Sequence, residues 1–138
     1  MKRICALLVI VSLLFVSCGK AGGEFVGTWT GKVEFTADQE QQMKELMGEA
    51  GFQEFTESSK SNPLVFELNS DNTSKAISES QNIAGTWELS DDGKTITVIA
   101  DEKPNTFVAD IVLDVSDDGN ALTMTMPFDI AYVVVFTK

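Results

Sequence analysis

"EFVGTWTGKV", residues 24–33, alternates apolar or small residues with polar ones, the period of a strand with one face in a core. Phe25, Gly27, Trp29, Gly31, Val33 and Phe35 fall on one face, and Thr28, Thr30, Lys32 and Glu34 on the other. Glycine is unusual inside a strand and marks a close approach of backbone or a bend. The arrangement returns in "IAGTWEL", where Gly85, Thr86 and Trp87 repeat Gly27, Thr28 and Trp29.

Reading onward, seven further strands are expected: "LVFEL" (64–68), "TSKAIS" (73–78), "IAGTWELS" (83–90), "KTITVIA" (94–100), "TFVADIVLDVS" (106–116), "NALTMTM" (120–126) and "DIAYVVVFT" (129–137). Three links, "NSDNT", "SDDGK" and "SDDGN", have hairpin chemistry, with Gly93 and Gly119 supplying a left-handed residue after a type I turn. These acidic triplets are read as turns and not as calcium loops, which need six to eight oxygens over a longer segment. Short links favour antiparallel neighbours, and closure into an eight-stranded up-and-down barrel hides every edge. A two-sheet β-sandwich is the alternative.

The first link differs. Residues 37–50 carry a helical pattern in which Thr36 and Gln39 form a capping box, Met43, Leu46, Met47 and Ala50 make one apolar stripe, and Gly51 is the expected stop. Met43, Leu46 and Met47 are the candidate lid over the barrel mouth. Packing of the stripe against the sheet is the other use of the same pattern.

The N-terminus is set apart from the fold. Lys2 and Arg3 precede an apolar run from Ile4 to Val16, too short for a bilayer core of roughly 30 Å, which is the pattern of an export signal. Phe15-Val16-Ser17-Cys18 resembles the lipobox of bacterial lipoproteins. The resemblance implies cleavage of a signal peptide at residues 1–17, acylation of Cys18, a short tether over 18–23 and a barrel domain over 24–138, held to the cell envelope, in the outer membrane, by lipid. Cys5 would leave with the signal and Cys18 would be alkylated, so no disulfide is expected.

The Gly-x-Trp first strand, the long first connection and the run of hairpins resemble the lipocalin-like proteins of the calycin group. In that family the tryptophan closes the barrel base and an arginine from the last strand packs across it. The chain after Cys18 has no arginine, and Lys138 is the candidate substitute for it. The family's Thr-Asp-Tyr motif is absent. The resemblance implies an interior site for a small hydrophobic ligand, for which Trp29, Phe66, Trp87, Phe107, Met124 and Tyr132 are the candidates.

Composition excludes other classes. Without Lys2 and Arg3 the ten basic residues become eight, all lysine, against 21 acidic ones, a formal charge of 8 − 21 = −13. Phosphate backbones need clustered Lys and Arg, so nucleic acid is not an expected partner. There is no histidine, which removes the commonest general base and zinc ligand. Asp110 and Asp114, four residues apart on a strand, stand about 13 Å apart, too far for a glycosidase pair. No catalytic residues, metal or cofactor are expected. Two functions stay open: a barrel carrying a small apolar ligand, and a filled barrel working through its acidic surface on a protein partner, as inhibitor, adhesin or envelope-assembly factor. Interior volume separates them.

Overall fold

Alternation from Gly27 to Glu34 produces β1, with Trp29 and Gly31 buried and Thr28, Thr30 and Lys32 exposed. The computed structural model describes residues 22–102 and 110–138, and in it β1 (Gly27–Glu34) is followed by α1 (Ala37–Ser61), β2 (Val65–Leu68), β3 (Thr73–Ile77), β4 (Asn82–Leu89), β5 (Thr95–Ala100), β6 (Ile111–Val115), β7 (Leu122–Met126) and β8 (Tyr132–Thr137). Each strand pairs antiparallel with the next, and β8 returns to β1, closing the barrel. Closure leaves no edge to protect, and no sandwich forms. The expected signal peptide, Cys18 and Phe107 lie outside the described residues.

The hairpins at 69–72, 90–94 and 116–121 gather at one end, the closed end. A one-turn 3₁₀ helix, Gly23–Phe25, joins them there. In the second hairpin the Ser90 hydroxyl donates to Asp92 Oδ1 at 2.6 Å, and the same oxygen accepts the Lys94 amide at 3.0 Å. Ser116, Asp118 and Asn120 repeat this geometry. Gly93 and Gly119 both take φ of 71°, as the "DDG" reading requires, and Asn72 takes the same role in the first hairpin at φ 67°. The hydrogen bond from Ser90, then that from the Lys94 amide, holds the Asp92 carboxyl below its ordinary range. Ser116 and the Asn120 amide do so for Asp118. Both carboxylates are thus committed to shaping their turns.

Two glycines admit the core. A Cβ on Gly31 would sit 2.7 Å from Phe136 Cε1 and 2.9 Å from Val134 Cγ1. One on Gly85 would sit 2.1 Å from the Ile99 carbonyl oxygen on β5. Neither approach is possible with a side chain, since carbon and oxygen pack at roughly 3.5 Å or beyond. Inside, Phe66, Ile96, Leu113, Leu122 and Phe136 are fully shielded, and the Phe66 and Phe136 rings lie 5.0 Å apart.

The helix corrects one expectation. It does not stop at Gly51 but runs to Ser61, and its break falls at Gly48, where φ 78° and ψ 164° interrupt the ladder. Beyond the break Phe52 and Phe55 return the helix to the barrel, packing on Phe35 at 5.4 and 6.1 Å between rings. That burial outweighs the C-terminal signal of a lone glycine. The start agrees with the sequence: Thr36 Oγ1 accepts the Gln39 amide and Gln39 Oε1 accepts the Thr36 amide.

Candidate functional site

The closed end is built around the two tryptophans. Trp29 Nε1 donates to the Phe25 carbonyl at 2.8 Å, and Trp87 Nε1 donates to the Asn69 carbonyl at 3.0 Å. Each buried indole therefore has its one donor satisfied. The Lys138 ammonium lies 5.0 Å over the Trp29 ring and also donates to the Glu24 carbonyl. The cation over this tryptophan is a lysine, with no arginine in the chain after Cys18. Gly27, at φ 142°, leaves the space that the Lys138 stem fills, since a Cβ there would sit 3.3 Å from Cε.

Between the ends the described residues pack the barrel closely. Of the candidate interior residues, Trp29, Phe66 and Trp87 lie in the core with 1, 0 and 3% exposure, packed on one another's neighbours. Met124 is partly buried against the same core. Among the described residues the interior holds a void of about 30 Å³, lined by Ser74, Ala76, Ile83, Gly85, Val98 and Ile111. A small-molecule pocket is typically about 300–1,000 Å³. The void has room for one water-sized molecule.

The mouth is where apolar surface emerges. Phe35, Phe52, Phe55 and Tyr132 form an aromatic plug, with Tyr132 at 5.3 Å from Phe35 and 5.9 Å from Phe55. Burial raises the Tyr132 hydroxyl above its ordinary pKa. Phe128, on the link at 127–131, stacks on Tyr132 at 5.8 Å and is still 58% exposed. Beside it a groove of about 480 Å³ runs between α1 and this link, lined by Met43, Leu46, Phe55, Phe128, Ile130 and Tyr132. Gln39 pins the groove's two walls together: its side-chain amide donates to the Ala131 carbonyl at 2.6 Å.

The three candidate lid residues separate. Met43 is buried under the helix, whereas Leu46 is 70% exposed and Met47 is 38% exposed. The break at Gly48 leaves the first half of α1 attached by Met43 and Gln39, with the rest of its stripe turned to solvent. Sequence reasoning missed Phe55 and Phe128 as members of this site. The i, i+3 spacing of Phe52 and Phe55 was the available signal, and Phe128 carried none because it sits outside any period.

The charge here is acidic. α1 carries Asp38, Glu40, Glu45, Glu49, Glu54 and Glu57 against Lys44 and Lys60, and Asp129 borders the groove. Lys44 is engaged by Glu40 at 2.7 Å and Glu49 at 3.5 Å and lies 5.4 Å from the Phe52 ring. Among the described residues no three His, Cys, Asp or Glu side chains gather in a metal-binding group, and no helix is long and apolar enough to cross a membrane.

No family model matches the chain, and no curated protein matches it. Among solved structures it is similar to a DUF4847 family protein from Bacteroides vulgatus, solved at 1.00 Å, with a TM-score of 0.51 and 15% identity over 81% of this chain and 92% of that one. At that identity the likeness is one of fold: an eight-stranded closed barrel with a helix after its first strand.

Proposed function

We propose that this chain is a lipid-anchored envelope protein whose filled, lipocalin-like barrel works through its surface, docking a protein partner on the groove at the mouth. The filled interior carries the reading. Of the residues that would have lined a ligand cavity, Trp29, Phe66 and Trp87 are packed to 0–3% exposure, while Leu46 and Phe128, two of the four large apolar side chains left in solvent among the described residues, line the groove at the mouth. Exposed apolar surface of this kind marks interaction sites. The acidic helix beside it selects a partner that brings an apolar anchor flanked by basic residues, and makes association sensitive to salt. Lipid on Cys18 supplies the attachment, with roughly 0.8 kcal/mol per buried CH₂. No catalytic step belongs to this reading.

A photo-crosslinking residue at position 46 or 128, in envelopes at low salt, tests it. The expected result is one dominant protein adduct that Phe128→Asp and Leu46→Asp abolish and Asp117→Lys leaves unchanged. Only uncrosslinked monomer at low salt would refute the reading. The groove volume also suits a small apolar molecule, so a second reading places a ligand there and not inside the barrel. Native mass spectrometry with added fatty acid separates the two.

A further inference from the structure

The chain enters the barrel at the closed end. Gly22, at φ 100°, packs against the Trp87 indole so closely that a Cβ would lie 3.1 Å from Cη2, and the 3₁₀ turn that follows places the Phe25 carbonyl on Trp29. This corner is fixed to the rest of the molecule through Trp87 Nε1 on Asn69 and Lys138 on Glu24. Cys18 stands four residues before Gly22. At about 3.8 Å per trans peptide, those four steps reach no more than about 15 Å.

The groove lies at the other end. β1 has eight residues running from the closed end to the mouth. At about 3.3 Å per residue, tilted as barrel strands are, it covers roughly 20 Å along the axis. A barrel turned mouth-down on a membrane would lift Gly22 beyond the reach of its tether.

We propose that the barrel stands on its closed end at the membrane surface, hairpin tips toward the headgroups and groove facing away, so that the occupant of the groove comes from the aqueous space and not from the bilayer. The inference rests on the anchor at Cys18 in the proposed function. Charge sets the stand-off and not the posture: Asp71, Asp91, Asp92, Asp117 and Asp118 crowd the tips and are repelled by anionic headgroups, and a tether with a reach of about 15 Å, beyond the Debye length of about 8 Å, lets them stand clear of that layer. The exposed Leu46 and Phe128 would favour the competing posture, a barrel lying on its side with the mouth dipped into lipid.

Full-length lipidated protein in phosphatidylcholine–phosphatidylglycerol vesicles decides between these. A cysteine introduced by Asp117→Cys, on the third hairpin, or by Glu79→Cys, on the β3–β4 link at the mouth, carries a nitroxide, and a lipid-bound nickel chelate supplies the relaxing spin. Both positions are exposed. Relaxation enhancement is expected to be at least about tenfold greater at 117 than at 79, from the separation of about 20 Å. Equal enhancement, or a larger one at 79, with vesicle-bound protein overturns the orientation alone. Protein that takes up two labels per chain, or that fails to float with vesicles, overturns the anchor and the orientation with it.

Discussion

Gly85→Ala tests whether a missing side chain sets the β4–β5 spacing. Strand propensity predicts a gain, since glycine in a strand costs roughly 0.5–1 kcal/mol relative to alanine. The geometry predicts the opposite. The new methyl would lie 2.1 Å from the Ile99 carbonyl oxygen, a backbone atom that no rotamer change can move. Relief to an ordinary contact of roughly 3.4 Å requires β4 and β5 to part by more than 1 Å at this point. The Asp101 amide, which donates to the Ala84 carbonyl at 3.0 Å, would be pulled out of bonding range. Losing one such bond costs about 1 kcal/mol, and forcing backbone shifts in a packed core costs about 1–3 kcal/mol. Against the propensity gain, the net is a loss of about 1–3.5 kcal/mol. For a domain of this size that lowers the unfolding midpoint by roughly 4–14 °C. Thermal unfolding followed by far-ultraviolet circular dichroism on the chain from Gly19 onward reads it directly. A midpoint equal to or above that of the wild type would refute the account, because the sign itself distinguishes propensity from packing.

Three further outcomes are expected. Phe136→Ala, which empties the position facing Gly31 and Phe66, should cost about 3–5 kcal/mol in urea unfolding, with an unchanged m-value. Lys138→Met keeps the stem over Gly27 but removes the ammonium from the Trp29 ring, and should cost about 1 kcal/mol in the same assay. For acid, the folded carboxyls of Asp92 and Asp118 lie below the ordinary 3.8, so their contribution is complete above that value and is lost as pH falls through the folded values. The double variant Asp92→Asn, Asp118→Asn should therefore lose less stability than the wild type on acidification from pH 5 to pH 2; an identical pH profile would contradict the assignment.

Period-2 alternation located all eight strands because each has one face in the core and one in solvent, and that contrast is written residue by residue. Turn chemistry did the same for the hairpins, since a left-handed residue after two aspartates has few other uses. The helix was legible at its start, where a capping box is local, and misread at its end, where Phe52 and Phe55 extend it by contacts with Phe35 that no local rule encodes. The repeated Gly-Thr-Trp was half legible. Both indoles occupy the closed end, but β1 and β4 run in opposite directions, so the glycines do different work: Gly27 accommodates Lys138 at the rim, and the close approach that Gly85 permits in β4 falls in β1 to Gly31. The groove at the mouth was hidden because its walls, α1 and the link at 127–131, meet only through closure of β8 on β1.

The two tryptophans at one end have an experimental consequence. Indole emission from this protein is a local probe of the hairpin end, shielded from solvent and far from the groove. The mouth contributes a tyrosine and four phenylalanines, Phe35, Phe52, Phe55 and Phe128, to the near-ultraviolet signal. A partner or ligand can therefore fill the groove while tryptophan fluorescence stays constant. Screening by intrinsic quenching would score such a molecule as inert, whereas a tryptophan introduced by Phe128→Trp, stacked on Tyr132, would place a reporter where binding occurs.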